Sequence, residues 1–192
     1  MRIRTIFFAV AAALVVAAAA LAAPTAKDPS RLILERKDFP AHSDYEAGDE
    51  LDYTHALRSI DAHTTGYYAG TYSETKGHLQ LHGAVITTRD VKTAKQALRL
   101  AEKHLQDTWK VTGAGYKPTS TGIPAYGDQQ AAFSKKATVL SSTGSVALFV
   151  RKRSVVWVLW ALLDRDQPPK TSEVVANLKT YAAKQKTRVG AG

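Results

Sequence analysis

Val155-Val156-Trp157-Val158-Leu159-Trp160-Ala161-Leu162-Leu163 is an unbroken run of nine apolar residues. Successive strand side chains point to opposite faces of a sheet. A strand with one wet face would leave about four of these side chains in water, forgoing ~1.5–3 kcal/mol for each large one. The run therefore predicts a central strand, buried on both faces. Trp157 and Trp160 are three positions apart, so they fall on opposite faces. They cannot form one aromatic box, and the sheet must carry a core on each side.

Two further strands precede this one, at 130–140 and 146–152. Arg153-Ser154 and Ser141-Ser142-Thr143-Gly144 connect them, short enough to force antiparallel hairpins. Upstream, 67–73 and 79–88 read as strands about a turn near Lys76-Gly77, with Leu79, Leu81, Gly83, Val85 and Thr87 on one face. Asp90 is placed to cap a helix running to about Trp109. Its apolar stripe is Val91, Ala94, Leu98, Ala101, Leu105 and Trp109, with Lys92, Lys95, Gln96, Arg99, Glu102 and Lys103 on the other side. Pro168-Pro169 end the sheet. Thr171 can cap a last helix to about Lys186, with Val174, Leu178, Tyr181 and Ala182 inward. Residues 111–127, rich in Gly and Pro, form a long loop of the kind that often carries function. Residues 31–39 read as an amphipathic turn or two before Pro40, and 41–52 as polar and acidic, with a short helix possible over 51–60. The fold class is α+β: an antiparallel sheet of about five strands packed with two main helices, an α–β sandwich.

At the other end of the chain, Arg2 and Arg4 precede an apolar run over 6–23 that closes on Ala20-Leu21-Ala22. This is the pattern of a secretory signal peptide cleaved near Ala22. The alternative is an N-terminal membrane anchor, since 18 residues is the lower edge of a span. The run is mostly alanine and no basic cluster follows it, which favours cleavage and leaves no stable membrane span. The expected organisation is a signal peptide at 1–22, a flexible lead-in at 23–30, a single α+β domain at 31–187 and a disordered tail at 188–192. The protein is accordingly expected to be secreted or extracytoplasmic.

The chain has no cysteine, so the domain must fold by packing alone, and thiolate metal sites and thiol nucleophiles are excluded. Its formal net charge is +9, two of whose cations, Arg2 and Arg4, would leave with the signal. A basic exported protein is attracted to anionic surfaces such as envelope polymers. Arg151-Lys152-Arg153 is the densest basic spot. It sits at a hairpin tip, and export argues against a nucleic-acid partner.

Short segments resemble a known group. Leu34-x3-Asp38-Phe39-Pro40, Tyr126-Gly127-Asp128 and Val150-Arg151-Lys152-Arg153-Ser154-Val155-Val156 are similar to segments of small exported bacterial domains of unassigned function. The same layout recurs in extracellular sensor domains of bacterial receptor kinases and in PsbP-like folds. The resemblance spans roughly residues 31–186. It departs at Arg153-Ser154, which replaces a Gly-Asn turn, and in lacking the kinase sensors' disulfides. It implies an exported, non-enzymatic domain, and carries over no functional residues.

Candidate chemistry is sparse. His78 and His82 flank Leu79-Gln80-Leu81 on a strand, where residues four apart lie ~13 Å from each other. That is too far to share one ion, and His42, His55 and His63 match no zinc spacing. Asp44, Glu46, Asp49, Glu50 and Asp52 lack the glycine position and closing glutamate of a calcium loop. There is no Gly-x-Ser-x-Gly, and Gly113-Ala114-Gly115-Tyr116-Lys117 runs into Pro118, which forbids a phosphate-binding helix start. No catalytic residue, metal site or cofactor is therefore expected. The one suggestive set is aromatic and imidazole: Tyr67, Tyr68, Tyr72, His78 and His82 on the first strands, with Tyr116 and Tyr126 in the loop. Tyrosines suit a ligand pocket, having an apolar face and a polar tip, although they are also good strand formers. The sequence thus points to a non-enzymatic envelope domain that binds a small molecule or a protein. A basic adhesive protein held to anionic polymers and a small hydrolase using a His and a carboxylate around residues 42–63 are the alternatives.

Overall fold

The computed structural model describes residues 28–48, 55–73, 77–111, 116–120, 122–138 and 142–191. The expected signal peptide lies outside the described residues, as do 23–27 of the lead-in, Asp49, Glu50, Asp52 and the side chain of Trp109. The elements run β1 (Asp44–Gly48), β2 (Ala62–Ser73), β3 (Gly77–Thr88), α1 (Val91–Val111), β4 (Lys117–Pro118), β5 (Gln129–Lys135), β6 (Thr143–Lys152), β7 (Val155–Asp164) and α2 (Thr171–Ala191).

All seven strands form one antiparallel sheet in the order β1-β2-β3-β7-β6-β5-β4. The nine-residue apolar run is its middle strand, with Val158 facing Ala84 of β3 on one side and Phe149 of β6 on the other. The sheet has seven strands rather than about five, the two beyond expectation being its edges, β1 and β4. β1 falls in the stretch expected to be a polar loop: four of its five residues are exposed, so no apolar alternation marks it. β4 is two residues inside the loop over 111–127, paired to Ser134 and Phe133.

A helix covers each face. On one side Trp157, Leu159 and Ala161 pack with Leu81, Leu148, and Val174, Leu178, Tyr181 and Ala182 of α2. On the other, Val156 and Val158 pack with Ala84, Ile86, Phe149, and Ala94, Ala97, Leu98, Ala101 and Leu105 of α1. Trp157 is fully buried on the α2 side, and Trp160 is half-buried on the α1 side, as their spacing requires. Asp90 caps α1, its Oδ1 accepting the Thr93 N–H at 2.7 Å. Val91, expected in the buried stripe, is instead 45% exposed at the first turn.

The segments that carried the resemblance have structural duties. Residues 29–39 make two 3-10 turns, Pro29–Arg31 and Arg36–Asp38, that lay Leu32, Leu34 and Phe39 into the α2 core. Arg188 holds this segment to α2 by reaching Glu35 and Asp38, each at 2.7 Å. The helix therefore runs on through the residues expected to be a tail, and Val189 is buried. Asp128 braces the β6–β7 hairpin, accepting the Arg153 N–H at 2.7 Å and Arg151 Nη1 at 3.1 Å. Arg153 takes φ +55°, the left-handed conformation that glycine adopts without strain. Arg151 is itself buried, so the densest basic stretch of the sequence is not a continuous charged surface.

Candidate ligand-binding face

Strand parity sorts the candidate residues. Even-numbered residues of β2, β3 and β7 face α1, as Ala62, Ala84, Ile86, Val156 and Val158 show by their place in the α1 core. Tyr68, Tyr72, His78 and His82 share that parity. Tyr67 does not: it is buried beneath α2 with Phe39, Tyr45 and Tyr181, its ring 5.7 Å from that of Phe39. Tyr126 also lies in the α2 core, edge-on to Trp157 at 6.0 Å. Burial raises the hydroxyl pKa of both, that of Tyr67 strongly. Tyr67 and Tyr126 are thus core residues, and the site is built without them.

The other five gather on the part of the α1 face beyond the helix's own apolar contacts. One row crosses three neighbouring strands: Tyr68 pairs with His82, and His82 with Trp160. Their rings touch in sequence, centroids 5.1 and 5.4 Å apart, and all three are half-buried. Strands lie 4.7–4.9 Å apart, so this is an aromatic shelf about 10 Å wide. Desolvation lowers the His82 pKa, so its ring is neutral at pH 7. Tyr116 borders the shelf, its hydroxyl 2.5 Å from Ser145 Oγ, and burial raises its pKa.

The next row holds Gly70, Gln80 and Leu162, with Asp44 on the edge strand; beyond it come Tyr72, His78 and Asp164. Tyr72 is 66% exposed. At this end of the sheet lies a cleft of ≈ 780 Å³ lined by Tyr72, His78, Ser142, Asp164, Lys170 and Glu173 of α2, among others. Within it Arg165 pairs with Glu173 at 2.8 Å, and Ser142 Oγ donates to Asp164 at 2.5 Å. A smaller hollow of ≈ 390 Å³ is lined by Pro118, Ile123, Ala132 and Phe133.

Gly70, Gln80, Trp160, Leu162 and Asp164 belong to this face and were absent from the expected set. The signal that finds them is the parity already used to separate Trp157 from Trp160, applied to the neighbouring strands. Among the described residues no group of three or more His, Asp or Glu could hold a metal ion. Of the acidic cluster, Asp44 and Glu46 are spread along β1 and pair across the sheet with Gly70 and Tyr68. No described helix is long and apolar enough to cross a membrane.

The chain is similar in fold to the extracellular domain of PknH from Mycobacterium tuberculosis. The match has a TM-score of 0.54 at 10% identity and covers 87% of this chain and 98% of that one. No protein-family model and no curated protein matches the sequence. The likeness agrees with the layout expected of extracellular sensor domains of receptor kinases, at the level of fold.

Proposed function

We propose that this protein is an exported, non-enzymatic domain of the cell envelope that binds a small molecule on the α1 side of its sheet. The carrying observation is the row Tyr68–His82–Trp160, three rings in contact that neither helix buries completely. Large aromatic surfaces left half open beside a cleft are what a ligand pocket offers. Export is supported by the sequence of residues 1–23 and agrees with the fold of the extracellular domain it resembles.

The test is native mass spectrometry of the protein purified from its own envelope fraction. A bound small-molecule mass is expected on the wild type and is expected to be lost from the double variant Tyr68→Ala, His82→Ala. A bound mass that survives both substitutions would place the site elsewhere.

A second reading has its own observation. Lys92, Lys95, Arg99 and Lys103 follow one another at helical spacing along the exposed side of α1. Lys103 among them pairs with Asp107, one turn further along the helix. Such a stripe suits attachment to an anionic envelope polymer. Retention on immobilised polyanion that falls steeply with salt, and that Lys92→Glu with Arg99→Glu abolishes, supports it; salt-independent retention rules it out.

A further inference from the structure

The two edges of the sheet are finished differently. β4 is two residues long, Lys117 and Pro118, and proline has no N–H to offer a further strand. Past it, the loop is tied to β5 by the Gln130 side chain, whose amide accepts the Tyr126 N–H at 2.9 Å and donates to the Pro124 carbonyl at 3.1 Å. Shortness, proline, lysine and a covering loop are the means by which a sheet edge is closed to other chains. β1, Asp44-Tyr45-Glu46-Ala47-Gly48, has no proline and no lysine, and it pairs with β2 without a bulge through five successive positions. It stands last among the described strands, so its outer side presents a row of unpaired N–H and C=O groups.

This open edge is also held in place. The Tyr45 hydroxyl donates to the Leu34 carbonyl at 2.7 Å, and its ring lies 5.5 Å from that of Phe39 and 6.3 Å from that of Tyr67. Ser43 Oγ lies 2.6 Å from Thr71 Oγ1. These contacts fix the strand from the α2 side although four of its five residues are exposed. An edge ordered beforehand pairs with an incoming strand at less entropic cost.

Charge selects the occupant. Asp44 and Glu46 are two positions apart, so both stand on the α1 face, beside Gly70 and Tyr68. Both are exposed. The sequence continues Asp49-Glu50-Leu51-Asp52, so residues 44–52 carry five acids and no Lys or Arg in a chain of net charge +9. A second copy paired antiparallel about the middle of β1 would set Glu46 against Glu46, and like charges directly opposite destabilise a sheet. A strand with Lys or Arg at every second position instead sets cations against Asp44 and Glu46, the favourable arrangement.

We propose that β1 is a docking edge for an extended segment of another protein with Lys or Arg at every second position. The segment adds to the sheet beside β1: main-chain hydrogen bonds hold it, and its cations on the α1 face pair with Asp44 and Glu46. This adds a protein partner to the small-molecule reading above and does not depend on it.

The test is calorimetry at low salt on protein purified from the full-length chain, with peptides about ten residues long. One alternates Lys with Thr, and a second alternates Glu with Thr. Two more are the Lys peptide methylated on the backbone nitrogen of every Lys or of every Thr. The Lys peptide is expected to bind and the Glu peptide not to. Alternate N–H groups of an added strand face the edge, so one methylated form should bind at least about tenfold more weakly and the other like the parent. The variant Asp44→Lys with Glu46→Lys changes two exposed side chains. It should keep its melting temperature and exchange the preference, taking the Glu peptide and refusing the Lys peptide. Equal binding by both methylated forms would reduce the contact to attraction between charges and overturn strand addition. Lys-peptide binding that survives in the double variant, or no binding by any peptide, would overturn the proposal. A wild-type dimer in sedimentation, with its β1 amides protected from exchange, would assign the edge to a second copy and overturn it as well.

Discussion

Tyr67 and Tyr68 are adjacent in the chain and point to opposite faces of the sheet, which gives their hydroxyls opposite fates. Tyr67 Oη is buried and has no hydrogen-bond partner among the described residues, while its ring lies against Gly83, where a Cβ would come within 2.2 Å of Cε1. An unpaired buried hydroxyl costs about 1–3 kcal/mol of desolvation. Tyr67→Phe is therefore expected to raise the melting temperature, and a denaturant curve with a midpoint below wild type would refute that reading. His82 is the titratable residue of the shelf. Burial lowers its folded pKa below the unfolded 6.5, so the unfolded chain binds the proton more readily. Its contribution to stability is complete above pH 6.5 and is lost as pH falls through the lowered folded value. Between pH 7.5 and 5 the wild type should lose stability that His82→Gln retains, measured by urea unfolding at each pH. Parallel pH profiles would show that His82 is not desolvated.

At the scale of elements, β7 decides the fold and its two tryptophans can be ranked. Trp157 is fully buried against α2, and Trp160 only half-buried toward the open face. Trp157→Ser should cost ~3–5 kcal/mol, and Trp160→Ser distinctly less. Equal losses in chemical denaturation would mean that the α1 face is as closed as the α2 face. The N-terminal segment is fastened by charge as well as by Leu34 and Phe39. Arg188, with Lys37, holds the Glu35 carboxyl at about 2, below its usual 4.5. The fastening is present above pH 4.5 and lost as pH falls toward 2. Hydrogen exchange at Leu32 to Leu34 should accelerate at pH 3 relative to the strand interior, and Arg188→Ala should produce the same acceleration at pH 7. Such elements differ in how plainly the sequence announces them. The nine apolar residues of β7 admit only an interior position, and α1 shows a cap and a stripe. β1 is Asp44 to Gly48 at an edge, with one neighbour and little to bury, so its hydropathy resembles a loop. The last turn of α2 was hidden because its partners, Glu35 and Asp38, lie some 150 residues earlier in the chain.

Over the whole molecule, one helix on each side of a seven-stranded sheet produces an asymmetry of cover. The α2 side also receives residues 29–39 and closes over Trp157 and Leu159. The α1 side receives Leu57 and Ile60 of residues 55–60, but Tyr68, His82 and Trp160 beyond the helix remain half-buried. That difference, rather than any single residue type, is what supports the proposed site. It was only partly legible: Tyr68, Tyr72, His78, His82 and Tyr116 could be singled out as residue types, but Tyr67 and Tyr126 entered with them because strand parity and loop path had not been fixed. The cleft at the end of the face lay beyond reach, since its lining joins Tyr72 and His78 to Asp164 and Glu173 through the sheet register. The most direct test is a protein-observed NMR screen with a set of small uncharged aromatic and polyol fragments, mapped on assigned amides. Shifts are predicted to cluster at Tyr68, Gly70, His78, Gln80, His82 and Trp160. Clustering instead at Pro118 to Phe133, or on the α2 side, would contradict the account.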